Sequence, residues 1–193
     1  MKIEQSLWTQ AKGWGSGSPG KLGESAQLVL VFGCRWVLGE KALLGQVKKA
    51  YPNAKFLGCS TSGEICGTLV TDDSLVVTAV RFDHPQVEGA KVKIKEGEGS
   101  FQIGEKLAQS LPKEDLRHVF VILEGLKVNA SDLVAGLTKH LPPRVEVMRR
   151  SNRRPTAFWW STRRGKTPAS IRSSSKCGIS RPTSFPIEPR TIA

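Results

Sequence analysis

Gly58-Cys59-Ser60-Thr61-Ser62-Gly63-Glu64 gathers hydroxyls, a thiol and a carboxylate into one short string with glycines near both ends. Glycine lets the backbone approach a bound group closely, and successive exposed amides can form a nest for an anion. Ser60, Thr61 and Ser62 add hydroxyl donors, and Glu64 offers an acceptor to an ammonium group. A ligand carrying both a carboxylate and an amine matches that set. Cys59, Ser60, Thr61, Ser62, Gly63 and Glu64 are therefore the candidate ligand-binding residues. The same string also serves as a plain turn between strands, with Glu64 exposed. Asn129 is a further candidate, although an ordinary N-cap is the favoured role for an Asn placed after a strand and loop and before a helix.

Enzymatic chemistry fits these residues poorly. Gly58-Cys59-Ser60-Thr61-Ser62 lacks the second glycine of a Gly-x-Ser-x-Gly nucleophile elbow. Cys59 as a nucleophile needs a depressed pKa and a base, and neither is visible. His84, His118 and His140 are scattered along the chain. Cys34, Cys59, Cys66 and Cys177 are too few and too dispersed for a disulfide framework. No second Cys/His pair stands near Cys59 and Cys66 to complete a zinc site, so small buried thiols are the expectation. No catalytic residue, metal or cofactor is predicted from these residues.

Alternating strand and helix patterns surround the string. Residues 1–25 read as a flexible lead, glycine- and serine-rich from Lys12 to Ser25. Ala26–Gly33 is a continuous apolar run, the pattern of a strand covered on both faces. Leu43, Leu44, Val47 and Ala50 share one face of a helix spanning about Trp36 to Ala50. Pro52 and Asn53 break it, and Ala54–Cys59 follows as a second strand. Strand, helix and strand in this order make a βαβ unit. Ser74–Phe82 reads as a strand. Gly89–Lys95 alternates strictly, with Val92 and Ile94 against Lys91, Lys93 and Lys95, as a strand near a sheet edge would. Phe101–Leu111 has helical spacing, Arg117–Leu123 is a buried strand, and Asn129–Leu141 is a helix stopped by Pro142-Pro143. Arg144–Val147 is the next strand. The class is α/β, a mixed β-sheet with flanking helices.

The net charge of +12 divides unevenly. Residues 1–148 hold 18 Lys/Arg against 16 Asp/Glu, whereas residues 149–193 hold 11 Lys/Arg against the single acid Glu188. Basicity is a property of the tail, so it says nothing about partners of the body. The N-terminus has no apolar signal region, and no apolar run approaches the ~20 residues of a membrane span. A soluble, cytoplasmic chain without membrane partners is expected.

Three stretches together resemble the N-terminal FIST domain. They are Tyr51–Lys55 running into Gly58–Ile65, then Asp72–Phe82, then Glu124–Leu137. Their order and spacing match the family over about residues 26–147, and the Gly-Cys-Ser-Thr-x-Gly-Glu string is the most specific. The resemblance implies a sensory input module of bacterial signal transduction that binds a small ligand, an amino acid or related metabolite. It also implies signalling output proteins as partners. Some relatives are described as haem-binding; haem enters by resemblance alone, since no Cys-x-x-Cys-His string is present.

The tail, residues 148–193, departs from the body. Residues 149–193 contain no Leu and no Val, but eight Ser and five Pro. Such a composition buries too little apolar area to offset ordering entropy, so a disordered tail is expected. Phe158-Trp159-Trp160 is out of keeping with it. In the FIST pattern the strand at Val145–Val147 leads into Gly-Gly-Leu-x-Gly-Asp. Here Met148 is followed by Arg149-Arg150-Ser151-Asn152-Arg153-Arg154. The permitted codons CGG CGG TCT AAC CGG CGA, read one nucleotide later, spell Gly-Gly-Leu-Thr-Gly-Asp. A frameshift near Met148, leaving a truncated sensory domain, is the favoured reading. The alternative is a basic-tailed nucleic-acid-binding or interaction protein, whose cations and interleaved aromatics would hold phosphate backbones.

Overall fold

The computed structural model describes residues 1–15, 17–83, 87–152 and 157–160, with backbone alone for 150–152 and 157–160. In chain order the elements are β1 (Lys2–Thr9), β2 (Gly13–Trp14), β3 (Leu28–Gly33), α1 (Arg35–Gly39), α2 (Lys41–Ala50), β4 (Lys55–Ser60), β5 (Glu64–Cys66), β6 (Leu69–Thr71) and β7 (Ser74–Arg81). They continue with α3 (Ser100–Gln109), β8 (His118–Glu124), α4 (Ala130–His140), β9 (Glu146–Asn152) and β10 (Ala157–Trp160). Six strands form one mixed sheet in the order β10-β4-β3-β7-β1-β2. β5 pairs with β6 as a hairpin, and β8 pairs with β9 in parallel. The α/β class with a mixed sheet is as expected.

The expected βαβ unit is present. β3 and β4 run parallel from Leu28↔Lys55 to Gly33↔Ser60, and β7 flanks β3 antiparallel. Val29 and Val31 point into a core shared with Val37, Leu38, Leu43, Val47, Tyr51, Leu75 and Val77. Each such side chain contributes about 1.5–3 kcal/mol on burial, which is what holds α1 and α2 against the sheet. The apolar run predicts cover on both faces of β3; its alternate residues Leu28, Leu30 and Phe32 are only half-buried. The single helix expected over Trp36–Ala50 is two, because Glu40 leaves helical geometry at φ −74°, ψ 94°. Gly58 has no alternative in β4: a Cβ there would lie 2.0 Å from the Val31 carbonyl oxygen.

A second core gathers Ile103, Leu107, Val119, Val121, Leu123, Leu133 and Leu137 from α3, β8 and α4. The two helices cross in backbone contact. A Cβ on Gly104 would meet the Leu133 carbonyl oxygen at 2.1 Å, and one on Gly136 the Phe101 carbonyl oxygen at 2.0 Å.

Three expectations are corrected. Residues 1–25 are not a flexible lead throughout: β1 pairs with β7 over all eight residues, from Lys2↔Arg81 to Thr9↔Ser74, and β2 pairs with β1 at Trp8↔Trp14. Tertiary pairing overrides weak local propensity there. Gly89–Lys95 is not a strand. Its faces divide as the alternation indicates, Ala90, Val92 and Ile94 packing on the second core with the lysines exposed, but it joins no sheet ladder. Thirdly, the strand expected to end at Val147 runs from Glu146 to Asn152, in register with β8 from His118↔Glu146 to Glu124↔Asn152. Of the remaining tail, Ala157–Trp160 pairs antiparallel with β4, and residues 153–156 and 161–193 lie outside the described residues.

Candidate functional site

Gly33 and Ser60 stand side by side at the carboxyl ends of the parallel strands β3 and β4. In sheets of this kind ligands bind in the crevice beyond those ends. The chain leaves β4 at Ser60, turns through Thr61, Ser62 and Gly63, and enters the β5–β6 hairpin at Glu64. The turn is pinned to the sheet by the Thr61 amide, which donates to the Gly33 carbonyl at 2.9 Å. Gly63 has φ +148°, a conformation L side chains rarely adopt.

Glu64 is 2% exposed, not exposed as the plain-turn reading has it. Thr61 Oγ1 donates to its Oε1 at 2.5 Å and Ser74 Oγ to its Oε2 at 2.6 Å. Ser74 spends its proton on the carboxylate, so in the 2.8 Å contact between Thr71 Oγ1 and Ser74 Oγ it is Thr71 that donates. Thr71→Ser74→Glu64←Thr61 is thus a closed polar knot. It ties the candidate turn, the hairpin and the start of β7 together. Cys59 and Ser60 are buried, Thr61 and Gly63 half-buried, and Ser62 is exposed. Six of the seven candidates are therefore contiguous at one sheet end.

The seventh has a different place. Asn129 caps α4: its side-chain oxygen accepts from the Ser131 and Asp132 amides at 2.9 and 3.2 Å, and its own amide donates to Ser100 Oγ. These bonds serve the second core.

Sequence reasoning missed Thr71, Ser74, Asp73, Cys34 and Trp36. Asp73 sits at φ +51° in the turn before β7 and accepts from Trp36 Nε1 at 2.8 Å. Burial pushes the Cys34 thiol above its ordinary range, and the Asp73 and Glu64 carboxylates add to the rise, against a lowering by the Val37 amide. A thiol held protonated in this way is the reverse of an activated nucleophile. The one available signal was Asp72-Asp73-Ser74, two acids in a tight turn before a strand.

A small apolar cavity of about 30 Å³ lies between α2 and the sheet, lined by Val31, Leu38, Val47, Phe56 and Gly58 among others. It has room for about one water. His118 faces Glu146 at 3.5 Å and His140 faces Glu105 at 2.9 Å, and His84 lies outside the described residues. Neither His118 nor His140 lines that cavity. Among the described residues no group of three or more His, Cys, Asp or Glu is placed to hold a metal. Nor is any described helix long and apolar enough to cross a membrane.

Fold and site define an α/β domain with a polar turn at the carboxyl ends of two parallel strands. The family model of the FIST N domain matches residues 27–148, and the chain belongs to that family, one of sensory domains in signal transduction. No curated protein and no solved structure matches the chain.

Proposed function

We propose that this chain is a small-ligand-sensing module of cytoplasmic, bacterial signal transduction, and that Ser60–Glu64 is where the ligand is read. The observation that carries this reading is the placement of the donor-rich turn, with Ser62 exposed, beyond Gly33 and Ser60. The ligand class is a metabolite with an amine and a carboxylate, such as an amino acid. A carboxylate has about four acceptor sites, and the two hydroxyls on Glu64 leave capacity for an ammonium hydrogen. The exposed Ser62 hydroxyl provides for the ligand's anionic end, the Thr61 hydroxyl and amide being engaged by Glu64 and Gly33. Cys59 is buried in β4 just before the turn, and Asn129 contributes only as the cap of α4. Signalling output proteins are the partners of such a module. The alternative, nucleic-acid binding, draws on the charge of residues 149–193 alone.

Calorimetric titration with each common L-amino acid, simple amines and simple carboxylates tests the reading. At least one compound should bind, and Ser62→Trp should abolish binding without changing Tm, because Ser62 is exposed and outside the knot. Absence of binding across the panel, or equal binding by Ser62→Trp, would overturn it.

A further inference from the structure

Three consecutive backbone amides converge on one buried carboxylate at the opposite margin of the sheet. Gly20 N–H and Lys21 N–H donate to Glu4 Oε1 at 3.1 and 3.0 Å, and Leu22 N–H donates to Glu4 Oε2 at 2.9 Å. Gly20 N–H also reaches the Tyr51 hydroxyl oxygen at 2.9 Å. Gly20 turns the chain at φ +124°, which aims its amide the same way as the next two. Glu4 is 8% exposed and Tyr51 fully buried, so the bonds are made away from water. Burial pushes the Tyr51 phenol well above its ordinary range, against a lowering by Gly20 N–H, and Glu4 adds to the rise. The phenol therefore stays neutral beside the carboxylate. Successive amides arranged around an anion are a nest. The geometry is found at Gly20–Leu22, in a segment that the sequence did not single out. Glu4 belongs to β1 and, like the nest, precedes the family-matched span of 27–148.

We propose that Gly20-Lys21-Leu22 is a carboxylate-binding nest filled in cis by Glu4, and that it takes a free monocarboxylate when the Glu4 side chain is removed. Glu4→Ala deletes Cγ and the carboxyl group, and acetate replaces those atoms one for one. Formate is a carbon short. Propionate carries one carbon too many and collides with the retained Cβ. Acetamide has the shape of acetate but no charge, and its amide hydrogens would oppose the nest's. In the intact chain the tethered carboxylate outcompetes free acetate, since tethering gives effective concentrations on the order of millimolar or more.

The test is the thermal unfolding of full-length Glu4→Ala in rising acetate. The variant's Tm should fall by roughly 5–10 °C, and acetate should recover at least half of the loss along a saturable curve, as for a ligand that binds only the folded state. Wild type should not respond. Formate should be weaker, and propionate, acetamide and chloride at equal ionic strength should not rescue. Equal responses from wild type and variant, equal rescue by acetamide, or no rescue would each overturn the proposal. Should Glu4→Ala not fold, amide hydrogen exchange decides. Gly20, Lys21 and Leu22 should be protected in wild type and less protected in Glu4→Gln. Exchange at the rate of an open chain in wild type would overturn the nest.

Discussion

Ser74 Oγ lies 2.6 Å from Glu64 Oε2, ten residues away in sequence, and the serine is completely buried. That bond joins the first residue of β7 to the first residue of β5. The candidate turn is thereby fastened at both ends, by Thr61 N–H to Gly33 and by Glu64 to Ser74. Ser74→Ala removes only the hydroxyl and leaves a buried carboxylate oxygen without its donor, which costs about 1–3 kcal/mol. Glu64→Gln should cost less, since both hydroxyls can rotate to suit an amide. Urea unfolding that ranks Ser74→Ala below Glu64→Gln supports the knot; the reverse order counts against it.

Gly104 and Gly136 set the approach of α3 and α4. Ala at either position drives a methyl into backbone at 2.1 or 2.0 Å, and overpacking of this kind costs about 1–3 kcal/mol or more. Once one substitution has pushed the helices apart the second meets less resistance, so the double variant should cost less than the sum. Gly45, inside α2, is the control, because a methyl group added there would have no neighbour within 4 Å. Gly45→Ala should stabilise by about 0.5–1 kcal/mol through helix propensity. Chemical denaturation of the four variants checks all three signs.

The core strands and helices were legible because their apolar residues face inward. Val29, Val31, Leu75, Val77, Leu133 and Leu137 all lie on the faces that their spacing indicates. β1 and the β5–β6 hairpin were not legible, because the pattern is inverted there. Glu4, Ser6 and Glu64 are buried, while Ile3, Ile65, Leu69 and Val70 are exposed. A buried carboxylate is tolerated only where hydrogen bonds compensate it, and those donors come from Gly20–Leu22 and Ser74, far along the chain. No local spacing announces such partners. The candidate turn was legible as a string, whereas the knot that positions it depends on β7 returning beside β3.

Glu105 links α3 to the end of α4, receiving Lys139 Nζ and His140 Nε2 at 2.9 Å each. Hydrogen bonds from Lys139 first and His140 second hold its carboxyl below the ordinary value of 4.5. A depressed folded-state value means that this contribution to stability is present above about pH 4.5 and is lost as the pH falls through the folded-state value. Lys139 is well exposed, so solvent screening keeps the contribution modest. The Tm difference between wild type and Glu105→Gln should be largest near neutral pH and close on acidification. A difference that grows as the pH falls would reverse the sign and remove the assignment.

The family match ends at Met148, where Leu and Val vanish from the sequence, yet β9 runs on to Asn152. A parallel ladder is built from backbone amides and carbonyls, so β8 can hold Arg149–Asn152 in register whatever their side chains. Continuity of the strand therefore does not require continuity of the reading frame. If the chain leaves the family frame after Met148, the coding DNA from codon 140 onward, translated one nucleotide later, should read Gly-Gly-Leu-x-Gly-Asp in place of Arg149–Arg154. Restoring that frame should give a longer sensory domain that unfolds at higher temperature than the present chain. Should no frame carry the segment, residues 149–193 are a genuine basic arm. The isolated arm should then bind nucleic acid with an affinity that falls steeply with salt, as the release of phosphate counterions requires.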